Sequence, residues 1–380
     1  MKGIFNICPY AYYRNEQFMK DCILIPYTIS KLYGYQATIV TKQKEEFTYL
    51  PLLPNLQTDI IPNNEETENW TDFCTQFISK NYKNIDLLFC FGSYEANQAM
   101  VPLYKKLRPD GKVILKLDAN SGWMDRLSMS NESLYKMYEN CDLITCESKR
   151  LKEHLSKKWP FQIDYVVNGS LDNLFLHKPS SYQQKENILL TVGRIGTAQK
   201  ANHILLEAFA MYHDCYPDWT LRLVGSVEPS FEPYINDYFS RYPELIDRVI
   251  LTGKITDKEK LYEEYQKAKV FAITSVYEGG TPNVFSEAAY YGCYTICSDI
   301  DASYEFTNGS KCGSVFPVGD SSSLAEILKQ VLSPSFEPVL ESNFAEIQTY
   351  HHRFFNYETI AKKLMHLLTL KEEIFKNAEF

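Results

Sequence analysis

No run of the 380-residue sequence approaches 18 consecutive apolar residues, and its amino end breaks at Pro9 before any apolar segment of useful length. A membrane-spanning helix and a secretory leader are therefore not expected. Basic charge is also short: 39 Lys and Arg stand against 48 Asp and Glu, a net charge of -9. A dedicated nucleic-acid binder usually shows a basic domain or stripe, so nucleic acid is not an expected partner. The ten cysteines contain no CxxC pair, the closest being Cys293/Cys297 and Cys141/Cys146. No zinc-site spacing results, and core packing accounts for these thiols better than metal does. Short-period repeats and low-complexity tracts are missing too. What remains is an ordinary globular composition, 45% hydrophobic and 23% charged, expected to be reduced and cytoplasmic.

That length exceeds one typical core, so two domains are expected. Short apolar runs alternate with longer amphipathic ones. The first half offers six candidate strands: "GIFNIC", "QATIVT", "DLLFCFG", "VILKLD", "DLITCES" and "IDYVVNG". Between them "NEQFMKDCILIPYTISKLYG" and "NWTDFCTQFISKNYK" carry helical spacing. The polar stretch 174–187, with Pro179 and a serine pair, reads as the domain boundary. After it the alternation restarts with six more strands, from "ILLTVGRI" to "SVFPVG", and a terminal amphipathic helix from Tyr357 closes the chain. Such alternation predicts α/β architecture with two doubly wound, Rossmann-like parallel sheets. Their strand C-terminal ends would face each other across a ligand cleft.

Two segments carry candidate chemistry. In "TVGRIGTAQK", Arg194 and Lys200 follow a strand end, loosened by Gly193 and Gly196. A forked guanidinium and a point-charge ammonium suit a pyrophosphate, though a solvated loop would look the same. In "SVYEGGTPNVFSEAAYYG", Gly279 and Gly280 allow close backbone approach, and Thr281, Pro282, Asn283 and Val284 lead into a helix. Pro282 is expected in its first turn, and the helix is expected over Val284 to Tyr291 with Gly292 as cap. Its N-terminus attracts anions. Carboxylates there need other partners, and sugar hydroxyls fit Glu278 and Glu287. Glu287, among Phe285, Ala288 and Ala289, is expected to be partly buried with a dedicated partner.

These segments, together with Leu223–Ser226, Leu251–Ile255, "VGDSSSLAEIL" and, more loosely, "CDLITCESKRLKEHL" and "VVNGSLDNLF", resemble the retaining family 4 glycosyltransferases of GT-B fold. The second half matches along nearly its whole length. The resemblance implies an acceptor domain over 1–178, a nucleotide-sugar domain over 179–355, and a helix over 356–380 that returns to the first domain. It implies hexosyl transfer from a UDP- or GDP-linked sugar to a glycan, glycoconjugate or lipid-linked acceptor, with retention and without a separate cofactor. Arg194 and Lys200 would bind the pyrophosphate, Glu278 the transferred sugar and Glu287 the ribose. Gly253, Lys254 and Ile255 would face the base. On the acceptor side stand Tyr10, Tyr12, Arg14, Asp118 and Asn120.

The chain departs from the family in three places. Eight residues, 279–286, separate the two glutamates, one more than usual. The first loop, "CPYAYYRNEQF", lacks the Gly-Gly pair many members carry. Many members also place a His at the end of a first-domain strand. Here the first His is His154, and Asp118 at the comparable strand end either takes that role or caps the following turn. "SDID", with Asp299 and Asp301, matches the D-x-D pattern of metal-dependent transferases but reads as a loop, and Arg194 and Lys200 could neutralise the diphosphate without a metal. Two basic clusters, 104–112 and 149–161, the second with Trp159 and Phe161, are either solvated faces or a peripheral contact with the inner face of a membrane. A non-catalytic partner or glycan-binding subunit of the same fold, and a nucleotide-sugar epimerase or hydrolase, are the alternative functions.

Overall fold

The computed structural model describes residues 2–61, 69–170 and 181–378, of which 372–378 by backbone alone. The chain divides into two compact units, Met1–Leu174 with Phe355–Phe380, and Phe175–Phe354.

The first unit holds a parallel sheet of β1 (Lys2–Tyr12), β2 (Tyr35–Lys42), β3 (Gln57–Ile61), β4 (Leu87–Phe91), β5 (Lys112–Lys116), β6 (Leu143–Cys146) and β7 (Ile163–Tyr165). Their spatial order is β3-β2-β1-β4-β5-β6-β7. Around it run α1 (Asp21–Tyr33), α2 (Trp70–Asn81), α3 (Glu95–Leu107), α4 (Ser121–Met124), α5 (Glu132–Glu139) and α6 (Lys149–Ser156). The expected six strands become seven. The missed one, β3, lies at the sheet edge with exposed or half-exposed positions throughout, so it lacks the continuous apolar run of its neighbours.

The second unit has the six expected strands, β8 (Glu186–Val192), β9 (Thr220–Val224), β10 (Val249–Gly253), β11 (Ala268–Ile273), β12 (Tyr294–Ser298) and β13 (Gly313–Phe316). They are ordered β10-β9-β8-β11-β12-β13. β12 is buried at every position, as helices on both sheet faces require. The helices are α7 (Asn202–Met211), α8 (Glu232–Arg241), α9 (Lys258–Lys267), α10 (Asn283–Tyr290), α11 (Ser303–Thr307), α12 (Ser321–Val331) and α13 (Glu337–Phe354). The terminal α14 (Tyr357–Ala378) belongs to the first unit, where it packs on α1 and its Tyr357 hydroxyl donates to Asp21 Oδ1 at 2.9 Å. Residues 174–180 of the expected boundary, and 171–175 of "VVNGSLDNLF", lie outside the described residues.

Candidate active site

In a doubly wound sheet, the crevice for a ligand opens where neighbouring strands send their connections in opposite directions. In the second unit that point lies between β8 and β11. The loop after β8 carries Arg194 and Lys200, and the loop after β11 carries Glu278, so topology brings together segments about 80 residues apart. Backbone and side-chain bonds lock the two loops. Val276 N–H donates to the Gln199 carbonyl at 2.8 Å, and Thr274 Oγ1 to the Lys200 carbonyl at 2.9 Å.

Lys200 Nζ forms an ion pair with Glu278 Oε1. Ser275 Oγ donates to the same oxygen at 2.5 Å, and Gln199 Nε2 reaches Oε2 at 3.3 Å. Gln199 also donates to the Tyr277 carbonyl at 3.1 Å and accepts from Arg194 Nη2 at 3.2 Å. Arg194 is exposed, while Glu278 is only 7% exposed. The cations and the carboxylate line one small pocket with Gly193, Thr274 and Val284. Here Glu278 serves as the internal counter-ion of Lys200.

Beneath the pocket the strand ends run unusually close. Gly193 N–H donates to the Val224 carbonyl at 2.9 Å, and Gly225 N–H to the Gly253 carbonyl at 3.0 Å. A Cβ on Gly225, whose φ is +153°, would stand 1.6 Å from the Gly193 carbonyl oxygen. Glycine is thus required at 225 for β8 and β9 to release their loops side by side. This contact links the Arg194 loop to Gly253, Lys254 and Ile255, which are half-buried, exposed and half-buried in turn.

Helix α10 begins at Asn283, with Pro282 in extended backbone (φ -69°, ψ 144°) as its N-cap. Pro282 therefore precedes the first turn rather than lying in it, and the helix runs one residue earlier than expected. Val284, in that turn, faces the pocket. Glu287 is 5% exposed; its Oε2 accepts the Tyr265 hydroxyl at 2.9 Å and its Oε1 lies 3.7 Å from Lys258 Nζ. Burial and the neighbouring Glu287 push the Tyr265 phenol well above its ordinary range, so it stays a donor. Lys258 opens α9, just past the Gly253–Ile255 loop.

Four members of this arrangement escaped sequence reasoning: Gln199, Ser275, Tyr265 and Lys258. Gln199 sits inside the "TAQK" stretch already singled out, but only the adjacency of β8 and β11 reveals it as the hub.

In the first unit, the corresponding loops follow β1, β4 and β5. Near its end β1 turns left-handed at Ala11, φ +80°. Tyr10 packs edge-on to Tyr94 at 5.2 Å and Tyr13 at 5.7 Å, and its hydroxyl accepts from Gln17 at 3.0 Å. Tyr12 lies under the Lys44 ammonium, and Arg14 is exposed and precedes a short 3-10 turn over Asn15–Met19, its backbone N–H donating to Gln17 Oε1 at 2.6 Å. Asn120 caps α4 through the Trp123 N–H at 2.8 Å. The turn at Asp118 is gripped by Glu147, which accepts the Asp118 N–H at 2.9 Å and the Ala119 N–H at 3.4 Å. Capping thus falls to Glu147 and Asn120 among the described contacts. Asp118 itself is solvent-exposed. The surrounding protein and the Glu147 carboxylate nevertheless hold its carboxyl above the usual range, against Lys116.

Other expectations fall differently. Asp299, after β12, accepts from Ser303 Oγ at 3.0 Å across a loop. In the first basic cluster, Lys105 and Lys112 pair with Asp142, and Arg108 with Asp86. In the second, Trp159 is 9% exposed and Phe161 packs on the core; both lie against Tyr138, at 4.7 and 5.7 Å. The aromatics that gave this cluster its apolar side face inward. Among the described residues, no helix is long and apolar enough to cross a membrane.

Two doubly wound parallel sheets, with the last helix returned to the first unit, define a GT-B protein. Residues 186–334 match the family model of glycosyl transferases group 1. A phosphatidyl-myo-inositol mannosyltransferase of Mycobacterium leprae is 23% identical over 186 residues, 49% of this chain and 47% of that relative. The match thus spans about half that relative's length. HepE of Anabaena, solved with UDP, shares the fold at a TM-score of 0.70 and 16% identity, over 97% of this chain and 100% of that one. Sucrose-phosphate synthase of Thermosynechococcus elongatus does so at 0.68 and 18%, over 99% and 100%. The match to glycosyl transferases group 1 is thus confined to residues 186–334, in keeping with the family 4 resemblance of that segment.

Proposed function

We propose that the protein transfers a hexosyl group from a nucleoside-diphosphate sugar to a hydroxyl of a carbohydrate or glycoconjugate. The observation that carries this is the convergence of Arg194, Lys200, Glu278 and the first turn of α10 on one pocket at the second switch point. Two cations and a helix N-terminus suit a diphosphate, and a carboxylate beside them suits sugar hydroxyls. In this reading the anomeric C–O bond to the diphosphate breaks as a C–O bond to the acceptor forms, and the acceptor's proton leaves with the diphosphate. Arg194 and Lys200 stabilise the departing charge. Glu287 and the Gly253–Ile255 loop hold the ribose and base.

UDP is the favoured nucleotide, supported by HepE having been solved with it. Retention by front-side attack belongs to the proposal through the family resemblance. A sugar-bearing acceptor is favoured by the open aromatic surfaces of the first unit, Tyr94 at 43% and Trp123 at 52% exposed, close in sequence to the β4 and β5 ends. The lipid-linked alternative draws support from the mannosyltransferase relative, whose name includes a phosphatidyl-inositol.

The test is a panel of UDP-, GDP- and ADP-sugars, scored for slow donor hydrolysis and for transfer to added glycosides. Wild type should consume one nucleotide class, and Arg194→Ala or Lys200→Ala should lower turnover roughly 100-fold. Unchanged turnover in both variants, or binding of no nucleotide by wild type, would overturn the assignment. The second result would favour a non-catalytic subunit.

A further inference from the structure

Buried strand positions are mostly apolar, yet β5 of the first unit ends on a lysine. Lys116, the last residue of β5, is 0% exposed. Its ammonium lies 3.1 Å from Glu147 Oε1, just past β6, and 3.5 Å from Asp21 Oδ2, the first residue of α1. It also donates to the Val166 carbonyl at 3.1 Å. Glu147 is 0% and Asp21 3% exposed. Asp21 Oδ1 in turn accepts the Gly169 N–H and the Tyr357 hydroxyl, each at 2.9 Å. One cation is thus held between two carboxylates, away from water.

Such a trio is weak evidence for stability, because well-packed apolar residues of similar volume serve folding as well. Its geometry shows a use that apolar residues could not supply. The two oxygens of Glu147 take the consecutive N–H groups of Asp118 and Ala119, at 2.9 and 3.4 Å. Asp118 has φ +47°, a left-handed conformation uncommon for a residue with a Cβ, though Asp enters it more readily than most. Glycine would occupy that position without strain. An Asp whose turn is gripped by Glu147 and which is open to solvent has its side chain presented.

We propose that Glu147, itself fixed by Lys116, is a positioning residue that holds the Asp118 carboxylate at the C-terminal edge of β5 for sugar hydroxyls in the transfer reaction. Asp21 anchors the clamp to α1 and, through Tyr357, to the start of α14. The inference rests on the reading that Asp118 acts in that reaction, so the experiment separates the two.

The full-length chain is assayed with the donor found in the panel above. Asp118→Asn tests the underlying reading: wild-type kcat would remove Asp118 from the reaction. Given a loss there, Glu147→Gln should lower kcat about 10- to 100-fold while the Kd for the nucleoside diphosphate, set by the second unit, stays within about twofold. In the Asp118→Asn background, Glu147→Gln should cost little more, since the two act as a unit. A pH profile gives a signature that a merely structural defect would not. Burial by the surrounding protein, Glu147 and Asp21 raise the pKa of the Asp118 carboxyl while Lys116 and Lys20 lower it, with the Tyr10 and Tyr94 hydroxyls also near. Removing the Glu147 charge should move the acid limb of kcat down by about one pH unit. Should Glu147→Gln not fold, Glu147→Asp keeps the buried charges but withdraws the oxygens from the two N–H groups, and should show the same fall in kcat. A folded Glu147→Gln or Glu147→Asp with wild-type kcat and pH profile, beside an impaired Asp118→Asn, would overturn the proposal.

Discussion

Replacing Glu278 by Gln should make the protein bind a free nucleoside diphosphate more tightly and turn over a nucleotide sugar more slowly. In the pocket, Glu278 holds Lys200 and is itself held by Ser275 and Gln199. An entering diphosphate must take Lys200 from this carboxylate and then tolerate its charge. At about 6 Å and an effective dielectric near 20, the bare repulsion between two unit charges is about 3 kcal/mol. Lys200 is 19% exposed and the neighbouring Arg194 is open to water, so screening leaves about 1 kcal/mol. That corresponds to roughly fivefold tighter binding of UDP to Glu278→Gln. The amide keeps an acceptor for Ser275 and nearly the same volume, so folding should change little. Turnover moves the opposite way, by roughly 100-fold, if the carboxylate contacts the sugar as charge develops at its anomeric carbon.

Calorimetric titration with UDP and GDP, beside initial rates with the matching sugar, reads both quantities on one preparation. The opposite signs make the result diagnostic, since general damage to the site would weaken binding and slow turnover together. UDP binding to Glu278→Gln that is fivefold weaker than to wild type would refute the idea that Glu278 competes with the diphosphate for Lys200.

Two further outcomes follow from the second unit. Gly225→Ala should destabilise it by about 3 kcal/mol or more and abolish nucleotide binding, because the new Cβ would meet the Gly193 carbonyl oxygen at 1.6 Å. Gly253→Ala, with nothing within 4 Å but φ +73°, should cost only about 1 kcal/mol, and urea denaturation that ranks the two equally would contradict the close approach of β8 and β9. His351, 1% exposed, has its ionisation lowered from 6.5 to about 3 by burial and then by His352. The unfolded chain therefore binds a proton below pH 6.5 that the folded one refuses until about pH 3, so stability falls as pH falls through that window. At pH 5 the loss is about 2 kcal/mol, and His351→Phe should be spared it. Equal losses in the two proteins between pH 7.5 and 5 would count against a neutral, buried His351.

The places where sequence reasoning succeeded and failed have a common physical cause. Parallel strands buried on both faces write themselves as continuous apolar runs, so β11 and β12 are legible, whereas edge-strand β3 has no such run. α13 buries Leu340, Ile347 and His351 along 18 residues, too thin a stripe to stand out. Charged residues at strand ends, such as Arg194 and Lys200, could be picked out singly. Their partners could not, since Gln199 meets Glu278 only because β8 lies beside β11 in the sheet. Lys116 in "VILKLD" did carry a readable signal, for a lysine within an apolar strand must find an anion, yet nothing local says it is Glu147. Gly279 is exposed and Gly280 turns at φ +72°, both before the helix begins. α10 runs unbroken from Asn283 through Glu287 while Glu278, before it, reaches Lys200.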